Sequence, residues 1–166
     1  MFSSHKAVKN NISTQNLKDI YLWSSFNNII SSNIISIHNK YCIPLSSSNK
    51  NIIYNNKITD QEIVINIVLS SSNNFITANY IQNNDHGLQI ESNNNFIYHN
   101  NMINKTLSNA IDNWNNVLDD NYPSDGNYRN DYSGIDENED EIDDTAYEVE
   151  GNKNKDNYPL INLVEI

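Results

Sequence analysis

Between Asp136 and Asp144 oxygen-bearing side chains recur at alternate positions: Asp136, Asn138, Asp140 and Asp144, with Ile142 at the remaining place. Calcium takes six to eight oxygens. This spacing resembles the first nine positions of a calcium loop, in which the seventh offers a backbone carbonyl. Two positions depart from it. Glu141 stands at the sixth, where a tight loop takes glycine, and Tyr147 stands at the twelfth, where a bidentate acid closes the shell. A solvated acidic loop has the same composition, so calcium at Asp136, Asn138, Asp140 and Asp144 is an expectation with a plain rival.

Softer ligands are scattered. His5, His38, His86, His99, Cys42 and Met102 are the donors copper favours. Counted from the asparagine that recurs once per repeat, the histidines share no column, which predicts isolated histidines rather than a copper centre. Sugar-cleaving enzymes need clustered acids or a base on one face. Asp60 and Glu62 are neighbours on one strand face, with no acid expected beside them one repeat away. His86, in "NDHG" at residues 84–87, reads as part of a turn. Trp23, Trp114 and the tyrosines Tyr122, Tyr128, Tyr132, Tyr147 and Tyr158 can stack on sugar rings or plug the end of a stacked fold, and the second role is the plainer. The sequons at Asn11 and Asn104 are weak signals in a chain with 35 asparagines among 166 residues.

The elements that position these groups follow from a repeat. The pattern N-x-I-x-x-N-x-I reads "NIISSNII" from Asn28, "NIIYNNKI" from Asn51, "NFITANYI" from Asn74 and "NFIYHNNM" from Asn95, with a worn copy, "KAVKNNI", near the start. Its inner asparagine falls at Asn10, Asn33, Asn56, Asn79 and Asn100, and the last apolar position tracks it as Ile12, Ile35, Ile58, Ile81 and Met102. A second apolar phrase recurs as "DIYLW", "YCIPL", "INIVL" and "GLQIE". Short alternations of apolar and polar residues predict half-buried strands. Repetition at about 23 residues predicts an all-β parallel β-helix, one repeat per coil. Asn at a recurring turn can take the left-handed conformation and hydrogen-bond its copies above and below. The expectation is a structural ladder of Asn33, Asn56, Asn79 and Asn100.

Charge divides the chain. The net charge of −11 arises from residues 112–166, which hold sixteen of the 21 acids. A tail so acidic repels nucleic acid. Residues 1–111 are read as coils, and residues 112–166 as an irregular, acidic, Tyr-rich cap. The opening residues lack the apolar stretch of a signal peptide, and "IVINIVL" is too short to span a bilayer. Because the repeat is already running by Asn10, the expectation is that further coils precede residue 1 in a longer protein.

In the tail stand Tyr122-Pro123-Ser124, Gly126-Asn127-Tyr128, Asp131-Tyr132, Asp144-Thr145, Tyr147 and Asp156-Asn157-Tyr158-Pro159-Leu160. With Asp136, Asn138, Asp140 and Ile142, they resemble the C-terminal end of NosD-like β-helix proteins. The chain departs from that pattern with Asp125, Glu139, Glu141 and Asp143 at glycine positions, Arg129 for Trp and Ala146 for Pro. The resemblance implies a right-handed parallel β-helix of the pectin lyase-like kind and a place outside the cytoplasm, periplasmic or at the cell surface. It transfers fold better than function. The leading expectation is a non-catalytic, secreted scaffold that binds glycan or a protein partner, stabilised by calcium. The alternatives are a fragment of a polysaccharide-acting enzyme and an accessory protein for copper-site maturation.

Overall fold

The computed structural model describes residues 4–14, 20–36, 40–151 and 154–166, which form strands and turns without a helix. None of these residues forms a helix long and apolar enough to cross a membrane. Strands come in triplets. The first is β1 (Ala7–Lys9), β2 (Ile12–Thr14) and β3 (Leu22–Trp23), and the second β4 (Ile29–Ser31), β5 (Ile34–Ser36) and β6 (Tyr41–Ser46). The third is β7 (Ile52–Tyr54), β8 (Lys57–Thr59) and β9 (Ile63–Val68). The fourth is β10 (Phe75–Thr77), β11 (Tyr80–Gln82) and β12 (His86–Ile90), and the fifth β13 (Phe96–Tyr98), β14 (Asn101–Ile103) and β15 (Ser108–Asp112). Each triplet is one coil. Like strands of successive coils pair in parallel, giving three sheets wound as a β-helix. The steps between coils are 22, 23, 23 and 21 residues.

Three-residue strands put one side chain in and two out. The inward residues stack as Ile30, Ile53, Ile76 and Ile97 in the first sheet. In the second they are Ile35, Ile58, Ile81 and Met102. The longer strands of the third sheet supply Ile43, Ile65, Leu88 and Ala110 beside Leu45, Ile67 and Ile90. All these columns are buried. Recurrence of isoleucine at one position per coil is what packing a column at one shared spacing requires.

Corners between sheets hold the asparagines. Asn33 donates its N–H to Asn56 Oδ1 at 3.0 Å and its Nδ2 to the same oxygen at 2.9 Å. Asn56 does the same to Asn79, and Asn79 to Asn100. Each Nδ2 also reaches backbone carbonyls, as Asn79 does to Ile53 and Thr77. The left-handed residue is not the ladder asparagine but the one before it: Ser32, Asn55, Ala78 and His99 have φ of 55°, 54°, 51° and 55°. A left-handed residue bends the chain, and the next side chain turns inward beneath the bend. Four different residue types stand at that bend while the position after it is always Asn, so the chemical selectivity lies at the buried ladder position. In the first coil this shifts the register by one. Asn10 is the left-handed residue, Asn11 donates to Asn33, and Ser13, not Ile12, pairs with Ile35. Ile12 is accordingly 76% exposed.

A second ladder, at the outer asparagine of the repeat, runs Asn28, Asn51, Asn74, Asn95 and Asn116. Serines make a third, in which Ser25, Ser48 and Ser71 each donate N–H to the hydroxyl one coil on. Both asparagine ladders point the same way, donors towards the later coil. Their last member therefore needs an acceptor that donates nothing onward. An aspartate meets that need at each end. Asn127 extends the first ladder from Asn100 and donates N–H and Nδ2 to Asp156 Oδ2. Asn116 donates to both carboxylate oxygens of Asp112.

The tail builds on this end rather than hanging from it. Val117 bridges to Phe96, β16 (Tyr128–Arg129) pairs with β14, and Glu150 bridges to Ile111, so each sheet gains a rung. β17 (Tyr147–Glu148) and β18 (Lys155–Asp156) form a small antiparallel pair. Leu118 and Val149 join the buried core, and of the tail tyrosines Tyr147 packs against it, whereas Tyr122 is 59% exposed. Arg129, fully buried, donates Nη1 to Asp156 Oδ2 at 2.6 Å and lies over the Tyr147 ring.

Candidate functional site

A cleft of about 680 Å³ opens where the corner after the third sheet meets the tail. Leu69, Ser70 and Ser72 line it from one coil, Glu91, Asn93 and Asn94 from the next, and Asn113 and Trp114 from the tail. A buried acid holds the backbone of Trp114. Asp112 ends the inward column of Leu45, Ile67 and Ile90, where a further aliphatic residue would continue the core. Its Oδ1 accepts the backbone N–H of Trp114 at 3.0 Å, and Asn154 Nδ2 donates to the Trp114 backbone carbonyl. Burial raises the Asp112 pKa, and the hydrogen bonds from Trp114, Asn116 and Asn154 oppose that rise. Trp114 is left 44% exposed and Leu69 65% exposed. An apolar ring face beside amides and hydroxyls is the chemistry that grips a sugar, with its C–H face and its ring of hydroxyls. Glu91 is the one carboxylate in the lining, so the acid pair of a glycosidase is lacking there among the described residues.

The acidic loop is folded on its own backbone. Asp136 accepts the N–H groups of Asp140 and Glu141, at 3.2 and 3.0 Å, through its two oxygens. Asn138 Oδ1 accepts the Asp140 N–H, Asp140 Oδ1 the Ile142 N–H, and Asp144 Oδ2 the Glu137 N–H. Asp140 Oδ2 is buried with no hydrogen-bond partner among the described residues. No group of three or more His, Cys, Asp or Glu among those residues is arranged to hold a metal ion. The departures from glycine have a backbone meaning. Asp125, Glu139 and Glu141 sit at φ 78°, 60° and 71°, the left-handed region that glycine enters at no steric cost. Asp143 is different: its buried carboxylate accepts N–H from Ile135 and Thr145. It presses on Gly134, where a Cβ would fall 1.6 Å from Oδ2.

The softer donors do not meet. Cys42 is buried in β6 and Met102 in β14, on different sheets three coils apart. His5 lies at a corner beside Phe26 and Asn27, His86 Nδ1 contacts Ser108 Oγ at 2.8 Å, and His99 bonds the Ser124 carbonyl. His38 lies outside the described residues. The acids Asp60 and Glu62 do gain a neighbour, contrary to the reading of the repeat, for Asp85 of the next coil lines the same depression. Asp85 accepts from Thr106 Oγ1 and its N–H is held by Gln61 O. Glu62 and Asp85 each stand six residues after the ladder asparagine of their coil, Asn56 and Asn79, so this neighbour was legible in the repeat itself.

Lys105 is a functional-looking group with a structural role. Its ammonium donates to Ile81 O and Ile103 O, at 2.6 and 2.7 Å. One coil earlier Asn84 Nδ2 makes the matching contacts to Ile58 and Gln82. The lysine thus replaces a ladder amide, and burial lowers its pKa to about 7.

With the coils, the ladders and the cleft in view, comparison with known families is decisive for ancestry. The family described as periplasmic copper-binding protein (NosD) matches residues 1–134, most of the chain. The chain belongs to the NosD family. No curated protein and no solved structure matches it. For this NosD-family chain, the match covers all five coils and the rung at β16, and stops before the acidic loop.

Proposed function

We propose that this NosD-family chain is a non-catalytic scaffold outside the cytoplasm that binds glycan in the cleft at Trp114. The carrying observation is the half-exposed indole of Trp114, a residue whose backbone N–H and carbonyl are held by Asp112 and Asn154, beside the Asn93, Asn94 and Asn113 amides. A frame of ladder hydrogen bonds keeps such a surface rigid, which limits the entropy lost on binding. The periplasmic description of the matched family supports the location. A glycan array probed with the purified chain tests the reading. Binding that Trp114→Ala removes, with its melting temperature unchanged, is the expected result. A blank array refutes it.

Calcium belongs to the same proposal, with Asp136, Asn138, Asp140 and Asp144 as its oxygen donors and the buried Asp140 Oδ2 as the support from geometry. A rise in melting temperature on adding calcium, lost in Asp140→Ala, is expected; an unchanged rise in the variant places the ion elsewhere. Copper, which the matched family's description names, does not fit the described residues. The thiol and thioether are sealed among aliphatic columns, and the described histidines stand at separate corners.

A further inference from the structure

We infer that the cleft at Trp114 selects glycans that bear free amino groups, with Glu91 as the side chain that reads the ammonium. This selection rests on the glycan reading above and narrows it to one class of sugar. Glu91 follows β12 directly, and its N–H donates to Ile67 O, so its backbone belongs to the coil. Gln89 Nε2 donates to Glu91 Oε1 at 2.9 Å, which steers the carboxylate while the residue stays exposed. Of the ion pairs among the described residues, Arg129 with Asp156 and Lys155 with Glu148, neither involves it. The rim is pinned to the tail as well. Asn94 donates its N–H to Asn115 O, and Asn115 donates its N–H to Asn93 Oδ1 at 2.9 Å.

A carboxylate accepts from a hydroxyl as well as from an ammonium, so the selection comes from charge. No Lys, Arg or His lines the cleft, whose other walls are Leu69, serines, asparagines and Trp114. Residues 112–166, which furnish Asn113 and Trp114, carry sixteen acids against Arg129, Lys153 and Lys155. A uronate therefore meets repulsion there and no basic partner. A neutral sugar offers Glu91 hydroxyls only. A glucosamine unit keeps the C–H face that packs on an indole and adds a cation. That cation gains twice: it makes a charge-assisted hydrogen bond to the carboxylate, and it is attracted to indole, the best of the aromatic rings for a positive charge. A cleft of about 680 Å³ has the size that encloses a small ligand.

Two β-1,4-linked hexamers of the same backbone, one of glucosamine and one of N-acetylglucosamine, are titrated into the full chain by calorimetry. The pH is set at about 6, where amino groups are protonated, and a galacturonate hexamer is run beside them. Expected is binding about fivefold tighter for the amine than for the acetamide, a preference that falls below about twofold in Glu91→Gln. The uronate does not bind, and Trp114→Ala abolishes binding of both other hexamers. Glu165→Gln removes an equal charge outside the lining, next to Val164, whose N–H Asn101 accepts, and keeps the preference. Melting curves confirm that each variant is folded. Equal binding of the two hexamers overturns the selection. So does a preference that survives Glu91→Gln or is lost equally in Glu165→Gln, either of which means attraction by net charge alone. In these cases the glycan reading still stands if Trp114→Ala removes binding. Binding of neither hexamer overturns the selection as well, and only a blank glycan array overturns both readings.

Discussion

Asn79 tests the ladder most directly, because every one of its polar atoms is accounted for. Its Nδ2 donates to Ile53 O, Thr77 O and Asn100 Oδ1, and its Oδ1 accepts the N–H and Nδ2 of Asn56. In Asn79→Ala, Asn56 Nδ2 keeps Ile30 O and Tyr54 O, but the buried Asn56 N–H loses its partner. One orphaned buried donor costs about 1–3 kcal/mol, and each further lost bond about 0.5–1.5 kcal/mol. The expected destabilisation is about 3–5 kcal/mol, read from urea unfolding. Asn79→Asp keeps the shape but aims an oxygen at three acceptors. The ionised form is then the worse one, so the folded-state pKa rises above the ordinary ~3.9 of an aspartate. Above that value the folded chain holds a proton the unfolded chain has released, and stability relative to the parent falls as pH rises. The penalty of Asn79→Asp should therefore shrink from pH 7 to pH 4, while that of Asn79→Ala stays level. A level penalty for Asn79→Asp, or an Asn79→Ala cost under about 0.5 kcal/mol, refutes the directional ladder.

Other consequences concern the core, the ladder ends and the left-handed corners. Ile76→Asp puts a charge in a sealed aliphatic column, at a cost of several kcal/mol, about 3 or more; a cooperative melt at the parent temperature would contradict the register. Asp156→Asn leaves the buried Arg129 charge unpaired and should cost about 3–5 kcal/mol, with part recovered when Arg129→Met is added; no recovery in the double variant would place the loss elsewhere. Lys105 keeps its proton to higher pH unfolded than folded, so the parent should gain stability over Lys105→Gln as pH rises above about 7. The slope approaches ~1.4 kcal/mol per pH unit, and Gln serves as control because Gln61 fills the same column. Glu141→Gly relieves a left-handed residue and should stabilise by about 0.5–1 kcal/mol, whereas Asp143→Gly removes two accepted bonds and destabilises; the reverse order, by calorimetry, would refute the backbone account.

The sequence alone determined what recurs. Identical coils face identical neighbours, so one buried position per coil must repeat its residue, and Ile30, Ile53, Ile76 and Ile97 or Asn33, Asn56, Asn79 and Asn100 show that need without coordinates. Where the repeat is worn the same reading slipped by one, at Asn10 and Asn11, because the bend residue and the ladder residue can both be asparagine. Tertiary structure alone decided what occurs once. Asp112 and Asp156 end the two ladders, Arg129 neutralises one of them, Trp114 is held at a cleft, and Asn101 clasps Val164 across 63 residues. None of these has a copy one coil away to mark it. Composition showed the tail as an acidic stretch, whereas folding divides its acids: some terminate hydrogen-bond chains in the core, and others, as in the loop from Asp136 to Asp144, hold their own backbone. A carboxylate's role is set by which donors surround it, and here those donors arrive from coils far apart in the chain.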